Sequence, residues 1–464
     1  MTDALWASSD IATATGGIAS TPFDATGVTF DSREVGPGDL FVALTGEATD
    51  GHKFLAQAFE RGAAGAIVSE DCPYPHVRVA DTFAALEALG VAARARTSAK
   101  IIGVTGSVGK TSTKEALFAA LDRARPGAAH RSVKSYNNHV GVPLSLARMP
   151  AASKFAVLEM GMNHPGELAH LTTLVRPHVA MVTAIAPAHT AFFPDESAIA
   201  DAKGEIFAGL EPGGVAIIPY DSAHRDRLIG HSEPHAGRIV TFGLDAGADV
   251  RAIETMRLAT GATFVTARIG DRELSFTIAQ PGIHWVSNAL GVLAAVDAVG
   301  GDLGSAGLAL AELGGLQGRG ARFMAKVADG EALVIDESYN ANPASMRATL
   351  AVLGAEGAGR KIAVLGEMRE LGDGSADYHA ALADPVAEAG ISHAVLVGAE
   401  MAALVEALEG RVQFVHVADA AAARASLLQI LAPGDAVLIK GSNGVGLAAL
   451  VAALKSPATG VGTA

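Results

Sequence analysis

The run Ile101-Ile-Gly-Val-Thr-Gly-Ser-Val-Gly-Lys110-Thr111 limits what this chain can fold into more than any other segment. An apolar β-type stretch feeds a glycine loop, and a helical pattern follows from Lys110 to Ala124. Strand, loop and helix in that order belong to a parallel α/β sheet whose loop holds a nucleoside triphosphate. The loop's N–H groups and the helix N-terminus face phosphate, a lysine adds charge, and a hydroxyl is placed for Mg²⁺. Thr105, Gly106, Ser107, Gly109, Lys110, Thr111 and Ser112 are therefore the candidate ATP contacts. One departure is visible: the first glycine of the usual pattern would stand at 104, which is Val, with Gly103 and Gly106 on either side.

A chain of 464 residues accommodates about three domains of 100–200 residues each. Residues 1–98 carry short strands (Val28–Phe30, Leu40–Leu44, Ala66–Val68) and end on a helix at Phe83–Arg96, with Thr97-Ser-Ala as linker. Residues 99–318 hold the phosphate loop, buried parallel strands at Phe155–Glu159 and Val179–Ile185, alternating antiparallel strands within 249–279, and an apolar helix at Trp285–Val299. Gly314-Gly-Leu-Gln-Gly-Arg-Gly320 marks the next boundary. In 319–464, strands Leu333–Ile335, Ile362–Leu365, Ala394–Val397, Gln413–Val417 and Ala436–Ile439 alternate with helices, a Rossmann-like doubly wound pattern.

The formal charge of −14 and the lack of a basic stripe argue against nucleic acid as a partner, and no 18-residue apolar run argues for a membrane span. The single cysteine, Cys72, excludes an internal disulfide and fits a reducing cytoplasm, and the N-terminus lacks a charged-then-apolar signal pattern. The expectation is a cytoplasmic monomer acting on small molecules.

Several polar residues stand where such sheets bind ligands, at strand C-termini. Glu159 ends an apolar strand beside the phosphate loop, a position for binding Mg²⁺. His189 follows the next strand and can serve a second Mg²⁺ through neutral imidazole. Lys203 lies on an amphipathic helix from about Glu196 to Leu210, where periodicity alone describes a solvated lysine. Asn137 and Asn138 belong to a polar loop that suits either a substrate or a turn, and Asn288 suits either a helix cap or a base edge. Asp336-Glu-Ser-Tyr-Asn-Ala-Asn-Pro343 packs Asp336, Tyr339, Asn340 and Asn342 into eight residues after a strand, a binding loop more than a connection. Gly366-Glu-Met-Arg-Glu-Leu-Gly and Lys440-Gly-Ser442-Asn are two further strand-end clusters.

Over nearly the whole chain these segments resemble the Mur ligase family, ATP-dependent amide-forming enzymes of peptidoglycan synthesis. The phosphate loop, Glu159-Met-Gly, His189 and Lys203-Gly-Glu-Ile-Phe follow in family order. Asp336 to Pro343 is similar to the branch that adds D-alanyl-D-alanine to a UDP-MurNAc-tripeptide. Asp31-Ser-Arg-Glu-Val-Gly-Pro-Gly-Asp resembles the uridine-nucleotide domain. His189-Thr-Ala departs from the common His-Leu-Glu, which leaves the acidic residue's role without a bearer here.

The resemblance implies an acyl phosphate formed from ATP on the tripeptide carboxyl and opened by the dipeptide amine. It implies Lys110, Glu159, His189 and Lys203 as catalytic, with Thr111 and Glu159 on one Mg²⁺, and His189 and a carbamylated Lys203 on a second. It implies Asn288 on adenine, Asp336 on ribose, Arg322 on phosphate with Arg319 the weaker candidate, and Ser32 and Arg33 toward the uridine diphosphate. Asn137, Asn138, Tyr339, Asn340 and Asn342 remain substrate candidates. Domain closure about the glycines of 314–320 is expected, since an acyl phosphate must be kept from water. Other members of the family, folylpolyglutamate-type synthetases and a non-catalytic ATP switch are the competing functions.

Overall fold

A computed structural model describes residues 4–46, 49–188 and 190–455. Its centre is a nine-stranded sheet. In spatial order the strands are Arg272–Ile278, Thr263–Ile269, Val250–Arg257, Arg238–Gly243, Val215–Pro219, Val179–Val182, Lys100–Thr105, Phe155–Glu159 and Ala129–Arg131. The last seven run parallel, and the first three are linked antiparallel. The antiparallel strands foreseen within 249–279 thus extend the parallel sheet edge to edge. A register shift between Ala252 and Glu254 accompanies the change.

Strand Lys100–Thr105 lies between Val179–Val182 and Phe155–Glu159, and from Ile101 onward it is buried. Its two faces feed two cores. Ile102 and Val104 pack with helices Lys110–Ala124 and Ile283–Ala298, while Ile101 packs with helices Glu167–Val175 and Glu196–Gly204. Coverage on both faces explains why the strand reads as an unbroken apolar run. The helix at 110–124 matches the sequence expectation at both ends, whereas strand Val179–Val182 stops three residues short of Ile185.

The N-terminal sheet orders Ile18–Ala19, His76–Arg78, Gly65–Val68, Asp39–Val42 and Gly27–Thr29, parallel except at its first pair. Helix Thr82–Ala95 is N-capped by Asp81, whose carboxylate accepts from the N–H groups of Phe83 and Ala84. Gly90 lets this helix approach Gly141–Ala147 closely: a Cβ there would stand 3.1 Å from Pro143 Cα. Leu144 and Ala147 enter the N-terminal core, and the Trp6 indole donates to the Ala147 carbonyl at 2.8 Å. The packing therefore runs on across the boundary expected at residue 98.

The third sheet orders Ala321–Val327, Gly330–Glu337, Ala436–Lys440, Lys361–Gly366, His393–Val397 and Gln413–Val417, parallel apart from its first pair. Of the leading hairpin the sequence expectation holds only Leu333–Ile335, within Gly330–Glu337, and not the strand Ala321–Val327. Strand Ala321–Val327 is an edge whose residues alternate between exposed and partly covered, so it lacks the apolar run of its neighbours. Ala328 turns it at φ 46.

Buried Arg94 ties the first two units, its Nε donating to the Val175 carbonyl at 2.8 Å and its Nη2 to Arg176 O and Glu211. Burial, with Arg176 beside it, lowers its pKa. Arg94→Ala strands these acceptors, and the first urea transition of the variant should lose about 1–3 kcal/mol. An unchanged transition would show that the bonds do not hold the units together.

Candidate active site

Register builds the site. Glu159 pairs with Val104 across the two central parallel strands, which sets its carboxylate level with the start of the phosphate loop. Gly109 then turns the chain at φ 84 into the helix that begins at Lys110. Only glycine enters that region freely, and a Cβ would lie 3.1 Å from Asn288 Oδ1.

The Thr111 hydroxyl donates to Glu159 Oε2 at 2.9 Å, and Asn137 Nδ2 donates to Oε1 at 2.8 Å. Ser135 Oγ lies 3.2 Å from Thr111 Oγ1 and accepts from Arg319 Nη2 at 3.2 Å. With Thr111 committed to Glu159, the Ser135 hydroxyl donates to Thr111. One directed chain therefore runs from Arg319 in the third domain through Ser135 and Thr111 to Glu159. The Arg319 guanidinium also lies 4.0 Å above the Tyr339 ring.

These groups line a cleft of about 470 Å³ between the central and third domains. Ser107, Gly109, Lys110, Thr111, Ser112, Asn137, Glu159, Asn288, Tyr339, Asn340 and Asn342 all face it, while Thr105 and Gly106 lie buried beneath. Asn342 also caps helix Pro343–Gly354 in a reciprocal bond pair with Ser345. Asn138 instead turns its Oδ1 to the N–H groups of Val140 and Gly141.

Other candidates lie apart. Arg322 is outside the cleft lining, held by Glu356 at 2.7 Å, and Arg319 occupies the cleft in its place. Asp336 is 1 % exposed and accepts from Gly318 N–H and from Ser338, facing a second cavity of about 240 Å³ behind Tyr339. Ser32 donates to Gln57, and Arg33 is exposed on Asp31. His189 lies outside the described residues.

Lys203 corrects the expectation of a solvated helix lysine: it is 1 % exposed. Burial, with the Lys110 charge behind it, pushes its ammonium well below the usual lysine range. Burial likewise lowers Lys110, with Arg319 adding to the effect and Glu159 opposing it. Burial lowers Lys440, which lies 3.8 Å from Glu337 and donates to Asn340 O, and raises Glu337. Lys110, Arg319 and Lys440 thus converge on the cleft, where a polyanion would relieve them.

Sequence patterns gave no role to Lys114, Glu337 or Lys440. Lys114 stands one turn past Lys110, where a helix lysine is ordinarily solvated, yet it is fully buried. Glu337 and Lys440 lay inside segments already singled out, and only the pairing of their strands joins them.

Thr111 and Glu159 offer hard oxygens side by side in a cleft lined by a phosphate loop, a donor set that fits Mg²⁺. Such a cleft, closed by a second α/β domain that supplies cations, defines a nucleotide-dependent transferase or ligase. Residues 104–296 match the Mur ligase middle domain, 321–443 the Mur ligase, glutamate ligase domain, and 24–124 the Mur ligase family, catalytic domain. The chain belongs to the Mur ligase family, whose members form amide bonds with ATP. It is 34% identical to UDP-N-acetylmuramoyl-tripeptide--D-alanyl-D-alanine ligase of Escherichia coli (strain K12), across 93% of this chain and 94% of that one. It superposes on MurF from Acinetobacter baumannii with a TM-score of 0.83 at 33% identity, covering 97% and 98% of the two chains. The match to MurF ligase from Thermotoga maritima in complex with ADP has a TM-score of 0.76 at 25% identity, covering 92% and 96%.

The lowered pKa of Lys203 has a sign. Between its folded value and the ordinary 10.5 the unfolded chain holds the extra proton, so stability rises with pH across that window. In CO₂-free buffer, Lys203→Met should flatten that rise in denaturation series run from pH 7 upward; an identical slope would place the titration elsewhere.

Proposed function

We propose that the chain joins the carboxyl end of a UDP-N-acetylmuramoyl-tripeptide to the amine of D-alanyl-D-alanine, driven by conversion of ATP to ADP and phosphate. The observation that carries this reading is the near full-length similarity to relatives bearing that activity in their names. Glu337 and Tyr339–Asn342 of the Asp336–Pro343 segment line the cleft wall and support it.

A carboxylate is a poor electrophile because oxide would have to leave. Transfer of the γ-phosphoryl group to the tripeptide carboxyl gives an acyl phosphate, the dipeptide amine attacks it, and phosphate departs. The loop's N–H groups and the helix N-terminus at Lys110 take the phosphates. Lys110 supplies positive charge to the group in flight, and Arg319 meets it from the third domain. Magnesium, when bound, neutralises phosphate charge, with Thr111 and Glu159 as the residues that would hold it and His189 and carbamylated Lys203 as those for a second ion.

Lys203 suits carbamylation because burial favours the neutral amine, the form that adds CO₂ with loss of a proton. The wall formed by both domains limits water, and the loop at Glu370–Leu371 bonds to Ala191 N–H and the Thr190 hydroxyl on the far side. Asn288 for adenine, Asp336 for ribose through the second cavity, and Ser32 and Arg33 for the uridine diphosphate complete the assignment. Among the described residues no helix is long and apolar enough to cross a membrane, in keeping with soluble nucleotide substrates.

Oxygen-18 placed in the tripeptide's terminal carboxyl should emerge in inorganic phosphate, and only when the dipeptide is present. Label retained wholly in the product, or turnover with single amino acids in place of the dipeptide, would overturn the reading. For Lys203, replacement by Ala should abolish most turnover, and a small carboxylic acid should restore part of it. Failure of that rescue alongside undisturbed Mg²⁺ dependence would make the lysine structural.

A further inference from the structure

Lys114 is fully buried, yet it neither lines the cleft nor takes part in the proposed chemistry. Its Nζ donates to the carbonyls of Ser132, at 3.0 Å, and Lys134, at 2.5 Å, and lies 2.9 Å from Glu115 Oε1. Those partners use its three protons. Glu115 is in turn held by Arg131 at 2.9 Å, and Glu159 Oε2 stands 4.0 Å from the ammonium.

The two carbonyls belong to the loop after strand Ala129–Arg131. Its next residues include Ser135, which serves Thr111 and Arg319, and Asn137, which serves Glu159. Lys134 itself has φ 53, the left-handed region that a side-chain-bearing residue resists. Its side chain is 58% exposed and pairs with Glu34 of the first domain. A buried cation thus receives the carbonyl of the one strained residue in a loop that aims two side chains at the site.

We propose that Lys114 is a positioning residue: by holding the Ser132 and Lys134 carbonyls it keeps Lys134 left-handed and so aims Ser135 and Asn137 at Thr111 and Glu159. The consequence for turnover rests on the ligase reading; the consequence for the loop does not.

Surface variants at Lys134 test this without burying an unpaired group. Lys134→Val and Lys134→Gly both lose the ion pair to Glu34, but only valine opposes a positive φ. Lys134→Val should lower kcat about 10- to 100-fold, as misplacement of reacting groups does. The KM for the UDP-linked substrate and the unfolding midpoint should hold, and hydrogen exchange across 132–138 should quicken in the full chain. Lys134→Gly should stay within about twofold of the parent, since glycine takes that φ without strain. Lys114→Met should reproduce the valine variant, and Lys134→Gly in that background should restore part of the loss. Equal effects of Val and Gly at 134, a parental kcat in Lys134→Val, or parental exchange across 132–138 in Lys114→Met would each overturn the proposal. Should Lys114→Met fail to fold, the Lys134 pair decides alone. Quickened exchange in a chain that ligates nothing would sink the function and leave the positioning intact.

Discussion

The bond from the Thr111 hydroxyl to the Glu159 carboxylate is the point on which the remaining geometry converges. It exists because two parallel strands are in register, Glu159 against Val104, and because the chain turns at Gly109 into a helix whose second residue is Thr111. A slip of one residue along the Phe155–Glu159 strand would point the carboxylate to the opposite face of the sheet, under the helices rather than into the cleft. The apolar cores on both faces of the Lys100–Thr105 strand fix that register, so the precision of the site is a by-product of burial.

From this bond a chain of donors leads outward, through Ser135 to Arg319. Its members come from different units of the chain. A cleft assembled in this way is complete only when the third domain stands against the central one. The contacts of Thr190 and Ala191 with Glu370 and Leu371 do the same on the opposite side. That arrangement suits a reaction whose activated acyl group must not meet water before the amine does.

Local patterns carried the phosphate loop, its helix and most of the buried strands, because each follows from apolar runs and turn residues that a sequence displays. The exposed edge strand Ala321–Val327 did not stand out, since one of its faces meets solvent and it lacks the unbroken apolar run of its neighbours. Lys203 and Lys114 failed for a related reason. Helical periodicity places a residue on a face but not the depth of what covers that face, and both lysines are sealed by neighbouring elements remote in sequence. The choice between Arg319 and Arg322 turned on a three-residue step across the hairpin's start, with Arg319 reaching Ser135 and Arg322 reaching Glu356. No local signal separates those outcomes.

The electrostatic layout follows from the same burial. A chain with formal charge −14 repels polyanions at long range. It nonetheless concentrates Lys110, Arg319 and Lys440 in one cleft, and for the two lysines burial outweighs the opposing pull of Glu159 and Glu337. Burial holds the pKa of both lysines below the ordinary lysine range. A phosphate in the cleft would raise their proton affinity, since it would supply the counter-charge that burial withholds. A triphosphate in the cleft would thus meet cations from the central and third domains at once, Lys110 from one and Arg319 and Lys440 from the other.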